Sequence, residues 1–178
     1  MGTPDYAVAC LNARKRAGYR VSAVFTQPDK PKGRGGRVQA PPAKEWAQQR
    51  GIEVYQPRRI RVDGVAPLRA LAPDLCVTAA FGQILSEEVL AIPRLGTVNV
   101  HASLLPEYRG SAPVNWALIK GETRTGVTTM ITDKGIDTGD ILLQRATEIH
   151  NDETAGQLTD RLALLGADLL VETVGKLL

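Results

Sequence analysis

The sequence predicts an α/β protein: a Rossmann-like, doubly wound, mostly parallel sheet with helices on both faces. Three observations lead there. Segments rich in β-branched residues alternate along the chain with segments of helical apolar period, the signature of βαβ units. The 178 residues, 43% of them hydrophobic, suffice for one core but not for two full domains. Seventeen glycines and eleven prolines supply many turns without low complexity, and no internal repeat is visible.

Element by element, Thr3-Pro4 predicts a helix start, with a hydroxyl N-cap and proline at the first helical position. An apolar stripe through Ala7, Val8, Leu11 and Ala17 runs to Gly18. "YRVSAVFT" (19–26) reads as a strand, and "QPDKPKGRGGRVQAPP" as a long loop without apolar period. A helix from Pro42 to Gly51, the strand "IEVY", the short helix "VAPLRALA" and the buried strand "DLCVTAA" follow. Ser86 is a candidate cap for a short helix through Leu90. "GTVNVHA" is a strand, and "SAPVNWALIKG" a helix with proline near its start and glycine at its end. "TGVTTMIT" and "DILLQRATEI" are two strands around the turn "DKGIDTGD". Asp152 is a candidate cap for a last helix whose stripe is Leu158, Leu162, Leu165, Leu169 and Leu177.

A doubly wound domain normally opens on a central strand. Here Gly2-Thr3-Pro4 turns straight into a helix, so the expectation is that the first strand is missing and the natural chain starts upstream. No apolar run of about 18 residues exists, which argues against a membrane span. No basic-then-apolar leader is present. Cys10 and Cys76 sit in apolar contexts without metal spacing, as reduced core residues of a cytoplasmic protein do.

The formal charge of +3 is uneven. Between Asp29 and Arg61 lie Lys30, Lys32, Arg34, Arg37, Lys44, Arg50, Arg58, Arg59 and Arg61, opposed only by Asp29, Glu45 and Glu53. Such a cluster attracts phosphates, although a solvated loop has the same composition.

The segment "VNVHASLLPEYRG" carries the chemistry. Asn99 and His101 stand at the end of a strand, where ligands of parallel sheets bind. A carboxamide and an imidazole facing one pocket can both donate to an oxygen that gains negative charge. A nearby carboxylate would set the imidazole's protonation and help move protons. Asp133, Asp137 and Asp140 in "DKGIDTGD" are the candidates. No Gly-x-Ser-x-Gly elbow, Cys–His pair or metal-ligand spacing appears, which suits direct acyl transfer to an amine. The bland readings stay open: Asn-x-His can simply satisfy backbone groups, and "DxGxD" can be an ordinary turn or a cation loop.

"NVHASLLPEYRGSAP" and "DKGIDTGDIL" resemble the signature segments of the folate-linked formyltransferases. "MGTPDYAV" and "VFTQPDKPKGRGGR" narrow the likeness to members that formylate initiator methionyl-tRNA. The resemblance covers essentially the whole chain. It implies a catalytic triad of Asn99, His101 and Asp137, the last 36 positions beyond His101. It implies 10-formyltetrahydrofolate as formyl donor and no metal. Ser103, Leu104, Leu105 and Pro106 match the folate-contacting segment, and Ile84 and Leu85 match residues lining the pterin pocket. Leucines and isoleucines at these positions also read as plain core. Arg34, with Lys30, Lys32 and Arg37, matches the loop that contacts the tRNA acceptor end.

The resemblance further implies that 1–178 is the catalytic domain alone, a monomer, without the OB-like tRNA-binding domain that follows it in the family. Rival readings are a formyltransferase for another amine, a formyl-folate hydrolase, and an inactive fragment that only binds folate or RNA.

Overall fold

The computed structural model describes residues 1–32 and 36–178. In chain order its elements are α1 (Asp5–Arg16), β1 (Ala23–Phe25), β2 (Lys30–Lys32), β3 (Arg37–Gln39), α2 (Pro42–Gln48), β4 (Glu53–Tyr55), α3 (Ile60–Asp63), α4 (Val65–Leu71), β5 (Cys76–Thr78), α5 (Glu87–Leu90), β6 (Thr97–His101), α6 (Pro113–Ile119), β7 (Arg124–Ile131), β8 (Ile141–Glu148) and α7 (Ala155–Leu177). β1 pairs parallel with β4, and β5 parallel with β6. β7 and β8 extend β6 antiparallel, joined by the turn that holds the three candidate aspartates.

Helices cover both faces of the β1 and β5 strands, and the side-chain alternation of the strands shows it. Val77 of β5 packs with α1 and α7 in one cluster that includes Tyr6, Cys10, Leu162 and Leu170. Its neighbour Cys76 points the other way, with Phe25, into a cluster built by Ile60, Leu68 and Val89 of α3, α4 and α5. Val24 packs with Trp46 of α2 in a third cluster. Both cysteines are free and buried, and burial pushes the Cys10 thiol up to about 12.

Met1 and Gly2 lie between β1 and β5. The Met1 amine donates to the Val77 carbonyl at 2.6 Å, Ala79 N donates to the Met1 carbonyl at 3.0 Å, and Gly2 N donates to the Phe25 carbonyl at 2.9 Å. Only glycine fits at position 2: a Cβ there would lie 2.7 Å from the Ala79 carbonyl oxygen.

Three local expectations are corrected. Thr3 does not cap α1, which starts after Pro4 without a side-chain cap; the Thr3 hydroxyl instead bridges toward the Phe81 carbonyl at 3.4 Å and Gln27 N at 3.4 Å. Asp152 does not cap α7. Thr154 does, in a reciprocal capping box with Gln157. The basic segment after β1 is not loop throughout, because β2 and β3 form an antiparallel hairpin with Lys30 opposite Gln39 and Lys32 opposite Arg37. Main-chain pairing makes that hairpin. β3 is exposed along its length, so no apolar alternation marks it in the sequence. Ser86, by contrast, caps α5 as expected, accepting from Val89 N at 3.3 Å.

Candidate functional site

β6 ends in Asn99 and His101, two residues apart and so on one face. Val98 and Val100, on the other face, are buried in the core under α1 and α7 and fix the strand's register. His101 is 7% exposed and Asn99 half-buried. The β7–β8 turn brings Asp137 to both. Asn99 Nδ2 donates to Asp137 Oδ1 at 3.2 Å, and His101 Nδ1 lies 3.5 Å from Asp137 Oδ2. Gly110 N donates to the same Oδ2 at 2.8 Å.

The residues alone left three aspartates open, of which the resemblance chose Asp137, and the turn separates them. Asp133 is used by the turn itself, accepting from Gly135 N at 3.0 Å and the Thr138 hydroxyl at 2.8 Å. Asp140 is exposed, its carbonyl accepting from Ile131 N at 2.9 Å. Asp137 alone reaches β6, from a left-handed backbone conformation with φ of 52°. Gly139 lets the turn close, since a Cβ there would lie 1.8 Å from the Ile131 carbonyl oxygen.

The ring of His101 is held at both ends. Nε2 sits 2.8 Å from the Tyr108 carbonyl, which can only accept, so Nε2 carries a proton. Nδ1 faces the Asp137 carboxylate, and the ring satisfies both neighbours when both nitrogens are protonated. Of the Asn99 amide, one N–H goes to Asp137, and the other meets no acceptor among the described residues. Thr78, at the end of β5 and in register with Asn99, donates its hydroxyl to Asn99 Oδ1 at 3.0 Å. That bond fixes which end of the carboxamide points where.

After His101 the chain turns through Ser103–Pro106, with a cis Leu105–Pro106 bond. The turn hangs on β7 and β8. The buried Thr128 hydroxyl donates to the Ser103 carbonyl at 2.7 Å and accepts from Leu105 N at 3.1 Å. Gln144 Nε2 donates to the Leu105 carbonyl at 2.8 Å. The Ser103 hydroxyl donates to the Glu107 carbonyl at 2.6 Å and is thereby engaged in the turn. Leu105 is buried, Leu104 half-buried and Pro106 exposed. Leu85 belongs to the α3–α5 cluster, while Ile84 beside it is 71% exposed.

Lys30 lies on the hairpin, its ammonium donating to Gln27 Oε1 at 2.6 Å, and Arg37 is exposed. Lys32 contributes its main chain to β2. Arg34 lies outside the described residues. Among the described residues no cluster of three His, Cys, Asp or Glu side chains could hold a metal ion, and no helix is long and apolar enough to cross a membrane.

Thr78, Thr128 and Gln144 escaped the sequence reading. Threonines in strands are common, and only the pairing of Thr78 with Asn99 and of Thr128 with His101 gives them meaning.

A family model described as formyl transferase matches residues 1–174. A methionyl-tRNA formyltransferase of Acetivibrio thermocellus is 56% identical over 178 residues, 99% of this chain and 57% of that protein. One from Halorhodospira halophila is 55% identical over 177 residues, again 99% of this chain and 57% of the relative. The chain thus spans a little over half the length of these curated relatives. Among solved structures, phosphoribosylglycinamide formyltransferase from Bacillus halodurans superposes with a TM-score of 0.81 at 26% identity, covering 99% of this chain and 91% of that one.

Proposed function

Because the chain belongs to the formyl transferase family, we propose that residues 1–178 act as a catalytic domain transferring a formyl group from 10-formyltetrahydrofolate to the amino group of initiator methionyl-tRNA. One observation carries the reading: Asn99, His101 and Asp137 meet at the carboxyl end of β6, with separations of 3.2 Å and 3.5 Å to Asp137. Identity of 56% to a protein named methionyl-tRNA formyltransferase supports the choice of acceptor.

The residues divide the work as follows. The methionyl amine attacks the formyl carbon, forming a C–N bond and placing negative charge on the formyl oxygen. The second N–H of Asn99 donates to that oxygen. The formyl oxygen takes the position at His101 Nε2 that the Tyr108 carbonyl holds here, so His101 becomes the second donor. Asp137 keeps the ring oriented and charged, and takes the amine proton through a water. The C–N bond to the folate nitrogen then breaks, and the relayed proton ends on that nitrogen. Ile84, Leu104 and Pro106, which are exposed or half-buried, offer apolar contact to the pterin-bearing donor. Ser103, Leu105 and Leu85 serve by shaping the slot from behind. Lys30, Lys32, Arg34 and Arg37 attract the acceptor-end phosphates, a term that weakens with salt.

The test is direct. The chain is incubated with 10-formyltetrahydrofolate and, in parallel, with methionyl-initiator tRNA, with glycinamide ribonucleotide, and with no acceptor. Formyl-methionine in the first arm is the expected product. Free formate at the same rate without acceptor, or formylation of the ribonucleotide alone, would overturn the reading.

A smaller effect tests the orienting role of Thr78. Thr78→Val removes the hydroxyl that holds Asn99 Oδ1. The carboxamide then loses its fixed orientation, and kcat should fall by about fivefold with little change in KM, on the scale of one lost hydrogen bond of about 1 kcal/mol. Thr78→Ser should restore most of the rate. A purely structural role for Thr78 would instead lower Tm in both variants and leave kcat alone.

A further inference from the structure

A shallow cavity of about 430 Å³ lies where α1 and α2 end, lined by Asn12, Lys15, Arg16 and Arg50. Both helices start at the carboxyl end of the sheet, where Ala43 N donates to the Thr3 carbonyl at 3.3 Å. Both run toward its amino end, and the 12 residues of α1 cover roughly 18 Å. The cavity therefore sits at the opposite end of the sheet from Asn99, His101 and Asp137. Three of its four lining residues are cations, and among the described residues no carboxylate lines it. Lys15, Arg16 and Arg50 form no ion pair among the described residues.

Two of these side chains are held in place. The Arg50 guanidinium lies over the Trp46 ring, 4.5 Å from its centroid, and its Nη1 donates to the Trp46 carbonyl at 3.0 Å. Its Nε and Nη2 make no bond among the described residues. Trp46 is buried, and its indole Nε1 donates to Asn12 Oδ1 at 2.6 Å. An indole N–H can only donate, so it fixes the Asn12 carboxamide with its oxygen toward the indole. That leaves for the cavity the NH₂ end, which meets no acceptor among the described residues. An arginine bonded to a late carbonyl of its own helix is an ordinary way to end a helix, and it accounts for the Nη1 bond. It does not account for the turned carboxamide or for the two further cations on α1.

We infer that this cavity binds a phosphate group of an RNA backbone. The fork of a fixed guanidinium and the carboxamide NH₂ meet phosphate oxygens directly, and Lys15 and Arg16 add charge. The phosphate comes on a backbone and not as a nucleotide. The indole at this place is already covered by Arg50, so a base finds no face to stack on. All three cations are exposed, which suits a charged strand passing along the surface. The hairpin cations Lys30 and Arg37 precede α2 at its other end. An RNA strand lying along α2 would thus meet positive charge at both ends of a helix about 10 Å long. Lys44, on α2 itself, is spent on Asp29 at 2.7 Å. The site adds a second RNA contact to that of the hairpin, and it does not rest on the formyl-transfer reaction.

The probe is a short fluorescent RNA duplex, titrated with the 178-residue chain at several salt concentrations, with inorganic phosphate and polyglutamate as competitors. Arg50→Gln should weaken RNA binding by about tenfold, the scale of one charge-assisted contact, and should lower the slope of log K against log salt by about one. Arg50→Lys should restore the slope but only part of the affinity, because an ammonium has neither the fork nor the stacking. Asn12→Asp keeps the acceptor for Trp46 Nε1 and places a carboxylate among the cations. It should melt no lower than the parent chain and yet lose at least as much affinity as Arg50→Gln. A packing role alone would instead lower Tm and spare the salt slope. Unchanged RNA affinity in folded Arg50→Gln and Asn12→Asp would overturn the proposal. So would competition by polyglutamate as effective as by unlabelled RNA, or displacement by inorganic phosphate at the concentration of RNA that half-saturates the chain. No formyl transfer enters the readout, so failure of the proposed reaction is read separately.

Discussion

On the proposed function, His101→Ala should lower the rate of formyl transfer by about 10³-fold or more. Two losses combine. One oxyanion donor disappears, which by itself costs about 10²–10³. Asp137 also loses the ring that packs beside its carboxylate, so its proton transfer through water, worth about 10²–10⁴ for a positioned group, is disturbed as well. The fold should survive. Asp137 keeps its bonds from Gly110 N and Asn99 Nδ2, and β6 keeps its register through Val98 and Val100, both of which lie on the opposite face. The stability cost should be about 1–2 kcal/mol, for a small cavity and an unmet Tyr108 carbonyl. Single-turnover formylation with a parallel thermal melt separates the two effects. His101→Gln sharpens the test: its amide can donate to the formyl oxygen but cannot carry charge, so it should recover only part of the rate. Turnover near the wild-type level in His101→Ala would remove this residue from the mechanism.

Much of this arrangement was legible in the sequence. Asn99 and His101 could be placed at a strand end because "GTVNVHA" is β-branched and ends before a proline-containing turn, and that strand is β6. The choice among Asp133, Asp137 and Asp140 did not come from the residues alone. It depends on a left-handed φ at Asp137 and on the closure permitted by Gly139, which no periodicity encodes. Thr78 was invisible for a related reason: its role comes from the strand register that sets it opposite Asn99, and register between strands 21 residues apart is a tertiary property. The hairpin β2–β3 reads as loop because the side chains of β3 bury nothing, and apolar alternation reports burial rather than pairing. At α7 the local signal was present but misassigned. Thr154 followed three residues later by Gln157 is a capping-box pattern, and it outranks the nearer-looking Asp152 because it satisfies two backbone donors at once. The direction of β7 and β8 follows from the short connecting turn, which can return a strand only antiparallel.

Asp137→Asn should lower kcat by about 10²–10³-fold, and the geometry says why so small a change is severe. The carboxylate has three neighbours that need an acceptor: Asn99 Nδ2 at Oδ1, and Gly110 N and His101 Nδ1 at Oδ2. A carboxamide offers one oxygen. If that oxygen faces Gly110 and His101, its NH₂ meets the NH₂ of Asn99, and the donor that should reach the formyl oxygen is pushed out of place. If it faces Asn99 instead, Gly110 N and His101 Nδ1 both confront an NH₂, and the protonated ring loses its counter-charge in a buried position. Either way the ring can no longer be held charged while an anion forms beside it, which is the electrostatic condition for the reaction. KM for the folate should change much less than kcat, because Asp137 contacts the catalytic side chains rather than the apolar slot. Asp133→Asn provides the contrast. Asp133 takes its bonds from Gly135 and Thr138 inside the turn, so its replacement should reach the chemistry only through local loosening, with a rate loss of about tenfold or less. Steady-state kinetics on both variants, with 10-formyltetrahydrofolate varied at saturating methionyl-tRNA, measures the split. Equal losses in the two would mean that the turn's shape, and not the charge at Asp137, carries the effect.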